Sequence, residues 1–322
     1  MTRIACCLSA LTLLLSCGPL LAQTRQGPEL VLDEFVEPFD LDAWIHDQQL
    51  SADCGGCPSS TGCGCHNRNY REPWNWVLLP EGVIYKSYLA GVREPRLGIS
   101  GFNIPDIGWI WEATLGGRVG ILRFGSPSDS WIQGFQLDFE AAALARLDST
   151  RDLVATDYRF GLPLTFGFGD YQTKFGYYHI SAHLGDEFLL RTGMPRVNYV
   201  RDSLVWGHSI NWTNELRVYF EFGYAFVADG GARPWEFQFG ADYASRCCTG
   251  PRGAPFAAVN FHLREEVNFG GNAVFQAGWQ WRGKPDGHLL RLGFHFHVGK
   301  STQYEFFDDS ERQIGFGLWY DF

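Results

Sequence analysis

The sequence predicts an all-β protein, a transmembrane antiparallel β-barrel of about twelve strands with a short Cys-rich N-terminal extension. Three observations support this prediction. The chain begins with an export signal, no later segment is apolar for the length of a spanning helix, and many segments alternate apolar with polar residues. Aromatic residues make up 16% of the chain and glycines number 38, a composition typical of barrels with aromatic outer faces.

Residues 1–22 predict a secretory signal peptide. A single early charge, Arg3, precedes an apolar run from Ile4 to Leu15, which is too short to span a membrane as a helix. Two processing routes remain open, namely cleavage after Ala22 and lipidation at Cys17. Both predict export, and together with the barrel pattern they predict a location in the outer membrane.

The C-terminal segment shows the alternation most clearly. Its apolar face comprises Ile314, Phe316, Leu318, Tyr320 and Phe322. An alternating final strand that ends in Phe resembles the assembly signal of bacterial outer-membrane barrels. Phe322 is therefore the predicted assembly signal, and outer-membrane lipid and the barrel-assembly machinery are the predicted partners.

The same alternation recurs at 215–226, 234–243, 257–266 and 288–299. An exported β-sandwich binding protein would also alternate, and it remains one alternative. Large aromatic side chains on the presumed outer face of strand after strand favour the barrel. Twelve segments can be counted, beginning at 83–95.

The strand count divides the chain into a periplasmic Cys-rich extension at 23–80 and a barrel at 81–322. The net charge of −10 argues against a nucleic-acid partner, because such a partner needs a basic face. The sequence does not predict an oligomeric state.

Six cysteines follow the signal peptide: Cys54, Cys57, Cys63, Cys65, Cys247 and Cys248. Their even number in an exported chain predicts disulfides, and Cys247 or Cys248 could bridge to the 54–65 cluster. A zinc knuckle at 54–66 is the alternative interpretation. We predict disulfides, with neither a metal nor a cofactor; the connectivity is open.

The candidate catalytic residues lie in one stretch, YYHISAHLGDEF at 177–188: they are His179, Ser181, His183, Asp186 and Glu187. A serine becomes a nucleophile when a base takes its proton, and a histidine two residues away shares its strand face. A nearby carboxylate could orient the imidazole. The alternation with Tyr178 and Ile180 nevertheless predicts that the polar set lines the lumen near the extracellular mouth.

His179-Ile-Ser181 resembles the His-x-Ser of outer-membrane phospholipase A and the His-Ser pair of lipid A deacylase. This resemblance implies a lipid acyl hydrolase with Ser181 as nucleophile and His179 as base. The chain departs from those enzymes at Ala182-His183, where they have Asn, and in the predicted inward direction of the side chains. Over most of its length the sequence resembles a family of planctomycete-type bacteria, domain of unknown function 1207, which implies a barrel and export but no reaction.

Two functions therefore remain open besides the exported sandwich. The first is a non-enzymatic barrel, either a structural or binding protein or a narrow pore with a polar lumen. The second is an outer-membrane lipid acyl hydrolase of the phospholipase A or lipid A deacylase type.

Overall fold

The structure of the protein, a computed structural model, describes residues 72–128 and 131–322. The predicted signal peptide, the clustered cysteines from Cys54 to Cys65 and nearly all of the predicted extension lie outside the described residues. No helix in the described ranges has the length and hydropathy needed to cross a membrane.

Twelve antiparallel strands close into a barrel, because the first of them, at Leu97–Ile104, pairs with the second on one edge and with the last on the other. The strands are β2 (Leu97–Ile104), β3 (Gly108–Gly125), β4 (Gly134–Leu147), β5 (Leu153–Phe168), β6 (Tyr171–Leu184), β7 (Val200–Asn211), β8 (Leu216–Asp229), β9 (Trp235–Tyr243), β10 (Ala254–Arg264), β11 (Gly270–Arg282), β12 (Leu289–Lys300) and β13 (Ser310–Asp321). The prediction of an antiparallel barrel of about twelve strands is confirmed. The closed wall excludes the β-sandwich.

We call the end at which β13 finishes the base of the barrel, and the opposite end the mouth. A short strand, β1 (Asn75–Leu78), pairs with β3 at the base. The connection from β6 to β7 at the mouth contains helix α1 (Asp186–Thr192). Two 3-10 helices, η1 (Glu265–Val267) and η2 (Tyr304–Phe306), lie in other mouth connections.

The outer face of the wall carries a belt of exposed aromatic and aliphatic side chains. Phe316 and Leu318 on β13 point outward, and Phe316 is 65% exposed, whereas Trp319 on the same strand is buried in the lumen. On β8, Phe220 and Tyr224 point outward and Arg217 inward. A closed barrel with such a belt has the surface of a transmembrane barrel.

Residues 79–96 form a segment that enters the lumen from the base and returns to the base to begin β2. We call it the lumen segment. The prediction of a first strand at 83–95 is therefore wrong: these residues are not part of the wall. Inside the lumen the ring of Tyr88 stacks on that of Tyr219, with centroids 3.9 Å apart, and Arg96 donates hydrogen bonds to the carbonyl oxygens of Leu89, Tyr88 and Gly91.

The connection at 301–309 folds inward from the mouth, and we call it the mouth lid. Tyr304 is buried, its backbone N–H donates to Asp157, and its ring lies 4.3 Å from that of Tyr199. The lid meets the lumen segment at Arg93, whose Nη1 donates to the carbonyl oxygen of Thr302 at 2.6 Å. The lumen is thus filled from both ends.

Ion pairs occupy much of the remaining lumen. Glu140 pairs with both Arg118 and Arg159, the latter at 2.8 Å, and Lys174 pairs with Glu221 at 2.7 Å. A cavity of about 30 Å³ lies beside Arg159 and Glu221, and another of about 50 Å³ lies nearer the base beside Arg217 and Asp242; each has room for only a few water molecules.

Candidate functional site

The predicted direction of the His179, Ser181 and His183 side chains is wrong. On β6 the alternate residues Tyr178 and Ile180 are buried in the lumen, Tyr178 at 2% exposure, and the His/Ser/His set lies on the outer face of the wall. The prediction assumed a watery, polar lumen. Protein fills the lumen here instead, and the apolar side chains of β6 pack against it.

Two contacts hold the inward face of β6. The guanidinium of Arg159 lies 4.2 Å from the ring centroid of Tyr178. Nearer the mouth, Ile180 and Ala182 pack in one buried cluster with Tyr199 and Tyr304. Turning β6 over would remove this packing, so the outward direction of His179 and Ser181 follows from the filled lumen.

A carboxylate on the neighbouring strand orients His179. Asp202 on β7 lies directly opposite His179, and its Oδ1 is 2.8 Å from the imidazole Nδ1. The hydroxyl of Tyr177 donates to the same Oδ1 at 2.6 Å. When Nδ1 donates to the carboxylate, Nε2 keeps its lone pair and is available as a base.

Sequence reasoning missed Asp202. The alternation in β7 does contain a signal, because Asp202 shares the outward face with Leu204 and Trp206, and a lone carboxylate among apolar residues is conspicuous there. Ionisable residues that face a membrane are rare and usually functional.

Phe160 on β5 supports the imidazole from the other side. It pairs with His179 in the β5–β6 register, and the two rings stack with centroids 4.9 Å apart at an interplanar angle of 29°. His179 is therefore held between a ring and a carboxylate, which fixes its plane.

Ser181 occupies the next outward position on β6 toward the mouth. Residues two apart on a strand are about 6.6 Å apart, a gap that the imidazole can largely bridge. Within the described part of the chain neither Ser181 Oγ nor His179 Nε2 has a hydrogen-bond partner. Within that part of the chain both atoms are thus free of protein partners on the outer face, and hydrogen bonds of this kind often tighten only in a ligand complex.

His183 and Tyr158 flank Ser181. Tyr158 is opposite Ser181 in the β5–β6 register, and the rings of Tyr158 and His183 are 5.6 Å apart. Both side chains lie on the outer face. Tyr158 thus lies directly across from Ser181, and His183 lies one outward position further toward the mouth.

Asp186 and Glu187 do not join this cluster. Both lie in the first turn of α1, beyond the end of β6, and Asp186 pairs with Arg196 at 2.8 Å. Among the described residues neither carboxylate bonds a histidine. The carboxylate beside the imidazole is that of Asp202.

An apolar groove runs along the outer face on the base side of the cluster. It measures about 330 Å³ and is lined by Phe135, Leu164, Thr165, Phe166, Thr173, Phe175 and Trp206. Phe175 and Trp206 each lie two outward positions from the cluster, on β6 and β7 respectively, or about 13 Å along the strands. The groove spans β4 to β7 and so reaches the β6–β7 pair that carries His179 and Asp202.

The remaining predicted residues lie at the base. Cys247 and Cys248 are in the connection between β9 and β10, and the four other cysteines lie outside the described residues, so the disulfides stay a prediction. Phe322 follows β13, and its ring lies 5.4 Å from that of Tyr320. Its role in assembly also stays a prediction.

Comparison with known proteins places the chain in a family. The family described as "Protein of unknown function (DUF1207)" matches residues 78–322. No curated protein sequence matches the chain.

Several solved outer-membrane proteins show a similarity of chain trace. Outer membrane phospholipase A from Escherichia coli is 12% identical, over 70% of this chain and 96% of that chain, with a TM-score of 0.49. The Salmonella typhi outer membrane phospholipase, a dimer with bound calcium, is also 12% identical, over 72% and 93%, with a TM-score of 0.49. An engineered porin of Rh. blastica is 10% identical, over 71% and 99%, with a TM-score of 0.29. At these levels no reaction transfers from those proteins to this chain.

Proposed function

The chain belongs to the DUF1207 family, whose description assigns no activity, and we propose that it is an outer-membrane lipid acyl hydrolase. Ser181 is the nucleophile, His179 the general base, and Asp202 the carboxylate that orients the imidazole. The observation that carries this proposal is the 2.8 Å contact between His179 and Asp202 on the lipid-facing side of the wall.

The reaction is an acyl transfer to serine followed by hydrolysis. Ser181 Oγ attacks the ester carbonyl carbon while His179 Nε2 takes the hydroxyl proton. The ester C–O bond then breaks, and the imidazolium returns the proton to the departing alcohol oxygen. A water molecule, deprotonated by the same imidazole, cleaves the acyl-serine and releases a fatty acid.

Asp202 supports this cycle in two ways. It holds the tautomer that leaves Nε2 unprotonated, and it stabilises the imidazolium that forms when Ser181 is deprotonated. Tyr177 donates to the same carboxylate oxygen and keeps it in place. His183 and Tyr158 are the candidates for donating a hydrogen bond to the oxyanion that develops next to Ser181.

The position of the cluster fits a substrate that arrives from the membrane. The ester of a lipid lies near the membrane surface, and Ser181 is three residues from the mouth end of β6. The apolar groove begins on the base side of the cluster, where the acyl chain would extend into the leaflet. The ester group of a long-chain lipid would therefore lie at the cluster on β6 and β7, and its acyl chain along the groove that spans β4 to β7.

The loss of folding stability caused by a polar cluster on a lipid-facing wall favours a functional role for it. An ionisable carboxylate and two imidazoles on a lipid-facing wall lower stability relative to apolar residues, and such groups are usually retained for chemistry. The filled lumen disfavours the alternative of a narrow pore, since the lumen segment and the mouth lid occupy the path that a solute would take.

The test is turnover of a long-chain phospholipid by the purified full chain in detergent, measured as fatty acid released. We expect Ser181→Ala to abolish release, and a fluorophosphonate probe to label the wild type but not this variant. Ser203→Ala is the matched control, because Ser203 is also on the β6–β7 pair but is buried in the lumen. Equal release by the wild type and Ser181→Ala would refute the proposal.

A further inference from the structure

The barrel wall has a gap at its base beside β3. β2 pairs with β3 only as far as Leu115, and β1 pairs with it only from Leu122 onward. Within the described residues, no strand covers this edge of β3 between those two positions; only the backbone bonds Gly116 N to Arg96 O and Leu79 N to Ile121 O cross to it. The wall therefore opens laterally here.

A cavity of about 560 Å³ occupies the gap, and we call it the base notch. Its outer rim is apolar, because Val119 points out of the wall at 59% exposure and Phe322 ends the chain beside it. Its inner wall carries Lys86 from the lumen segment and Arg118 from β3, of which Arg118 is already paired with Glu140. Lys284 and His288 from the β11–β12 turn also line the notch, and Glu81 lines it as the partner of Lys284 at 3.3 Å.

Lys86 has no counter-ion of its own in the notch. Its Nζ is shielded from solvent and, among the described residues, has no hydrogen-bond partner. Asp286, the carboxylate whose charge acts most on Lys86, is held by Arg246 through two hydrogen bonds of 2.8 and 2.7 Å. A buried ammonium without a partner is costly, so an anion bound beside it would be stabilised.

His288 lies in the same positively charged environment. Its pKa is lowered, first by burial and then by the positive charges of Lys86 and Lys284. A bound anion would oppose the charge of Lys86, whereas Lys284 already has Glu81 as a partner at 3.3 Å.

We propose that the base notch binds the phosphate group of a glycerophospholipid from the leaflet that surrounds the base. The phosphate lies between Lys86 and His288, and an acyl chain leaves the notch along Val119 and Phe322. Charge on the inner side and apolar surface on the outer side match the two parts of such a lipid. The lining contains no serine, threonine or cysteine, so the notch retains the lipid and does not cleave it.

This site is separate from the proposed hydrolase site. Ser181 lies on β6 near the mouth, whereas the notch lies between β3 and the end of β13 at the base. The lipid in the notch fills the gap in the wall and adds a negative charge beside the lumen segment.

Native mass spectrometry of the full chain in a neutral detergent tests the proposal. The Ser181→Ala background prevents consumption of the lipid by the proposed reaction. The probes are dioleoylphosphatidylglycerol, dioleoylglycerol and inorganic phosphate. We expect one phosphatidylglycerol per barrel to survive delipidation, little dioleoylglycerol, and at least a fivefold loss of retained lipid in Lys86→Met.

Two further variants keep the result interpretable. Lys300→Met removes a lysine at the mouth that pairs with Asp308, and it should retain lipid like its parent. Val119→Asp changes only the outer rim, leaves the lumen contacts in place, and should also lose lipid at least fivefold. Equal retention in Lys86→Met, or equal retention of dioleoylglycerol, would overturn the proposal. Binding of inorganic phosphate without the lipid would overturn the lipid assignment.

Discussion

His179 and Asp202 face each other across the β6–β7 pair, with Nδ1 and Oδ1 2.8 Å apart on the outer surface of the barrel. Their contact depends on the register of two strands joined by a connection at 185–199. A one-residue slip in that register would turn Asp202 into the lumen and leave the imidazole without its partner. The geometry of the proposed site is therefore set by the register of β6 against β7 in the barrel wall.

The carboxylate should contribute to catalysis through the imidazole. We expect Asp202→Asn to lower kcat by at least about 10²-fold, because an amide neither fixes the useful tautomer nor stabilises the imidazolium. Tyr177→Phe removes only one donor to Asp202 and should cost less than tenfold. Fatty-acid release over a range of pH measures both, and an Asp202→Asn enzyme with wild-type kcat would contradict the assigned role.

The apolar groove should select for acyl length. Leu164→Trp fills part of the groove, so we expect KM to rise several-fold for long-chain esters and to stay unchanged for short-chain esters. Leu292→Trp places the same ring on an outward position of β12, away from the site, and serves as the control. Equal effects of Leu164→Trp on KM for short and long esters would show that the groove does not bind the acyl chain.

Removing one partner from the ion pairs in the lumen should be strongly destabilising. Glu140→Gln leaves Arg118 and Arg159 without their shared carboxylate, and breaking a buried pair of this kind costs about 3–5 kcal/mol. The urea midpoint for loss of the heat-modifiable folded band should fall. Glu187→Gln, at an exposed position in α1, is the control, and its midpoint should not move.

Helix α1 should loosen in acid. Arg191 pairs with Asp148 at 2.6 Å and with Asp152 at 2.8 Å, which ties α1 to the β4–β5 connection. Partial burial raises the pKa of Asp148, but hydrogen bonds from Thr150, Arg191 and the backbone of Asp152 outweigh it and lower that pKa to about 2.

Because the folded pKa of Asp148 is depressed, its contribution is present above the unfolded value of about 4 and is lost as the pH falls toward 2. Amide exchange in α1 should therefore rise over that window, after correction for the intrinsic exchange rate. Arg191→Gln should show fast exchange already at neutral pH. Unchanged protection of α1 in this variant would show that the pairing does not hold the helix.

The cysteines should be oxidised in protein isolated from the cell envelope. We predict at least two disulfides among the six cysteines, with little bound zinc. Peptide mapping without reductant, together with metal analysis, measures both. One zinc per chain in protein purified without added metal would favour the knuckle.

The barrel itself could be predicted from the sequence because a closed wall in lipid requires large apolar residues at every second position. The first strand could not. The apolar and aromatic content of residues 83–95 predicts a wall strand, but the lumen segment folds as a series of bends and turns and is buried on nearly all sides. Strand β2, which is short and glycine-containing, gave a weaker pattern and was not identified as a strand.

The candidate site was only partly predictable. His179 and Ser181 are two residues apart in the sequence, so the pair could be identified there. The direction of their side chains depends on whether protein fills the lumen, which the lumen segment and the mouth lid determine. Asp202 lies 23 residues from His179 in the chain, and only the register of β6 against β7 brings the two together.

The meeting of the lumen segment and the mouth lid has a mechanical consequence. Arg93 donates to the carbonyl oxygen of Thr302 at 2.6 Å, and its guanidinium lies 3.6 Å from the ring centroid of Tyr304. Because the lumen segment and the mouth lid are joined through Arg93, a displacement of either one inside the barrel would be transmitted to the other, and the two ends of the lumen are mechanically coupled.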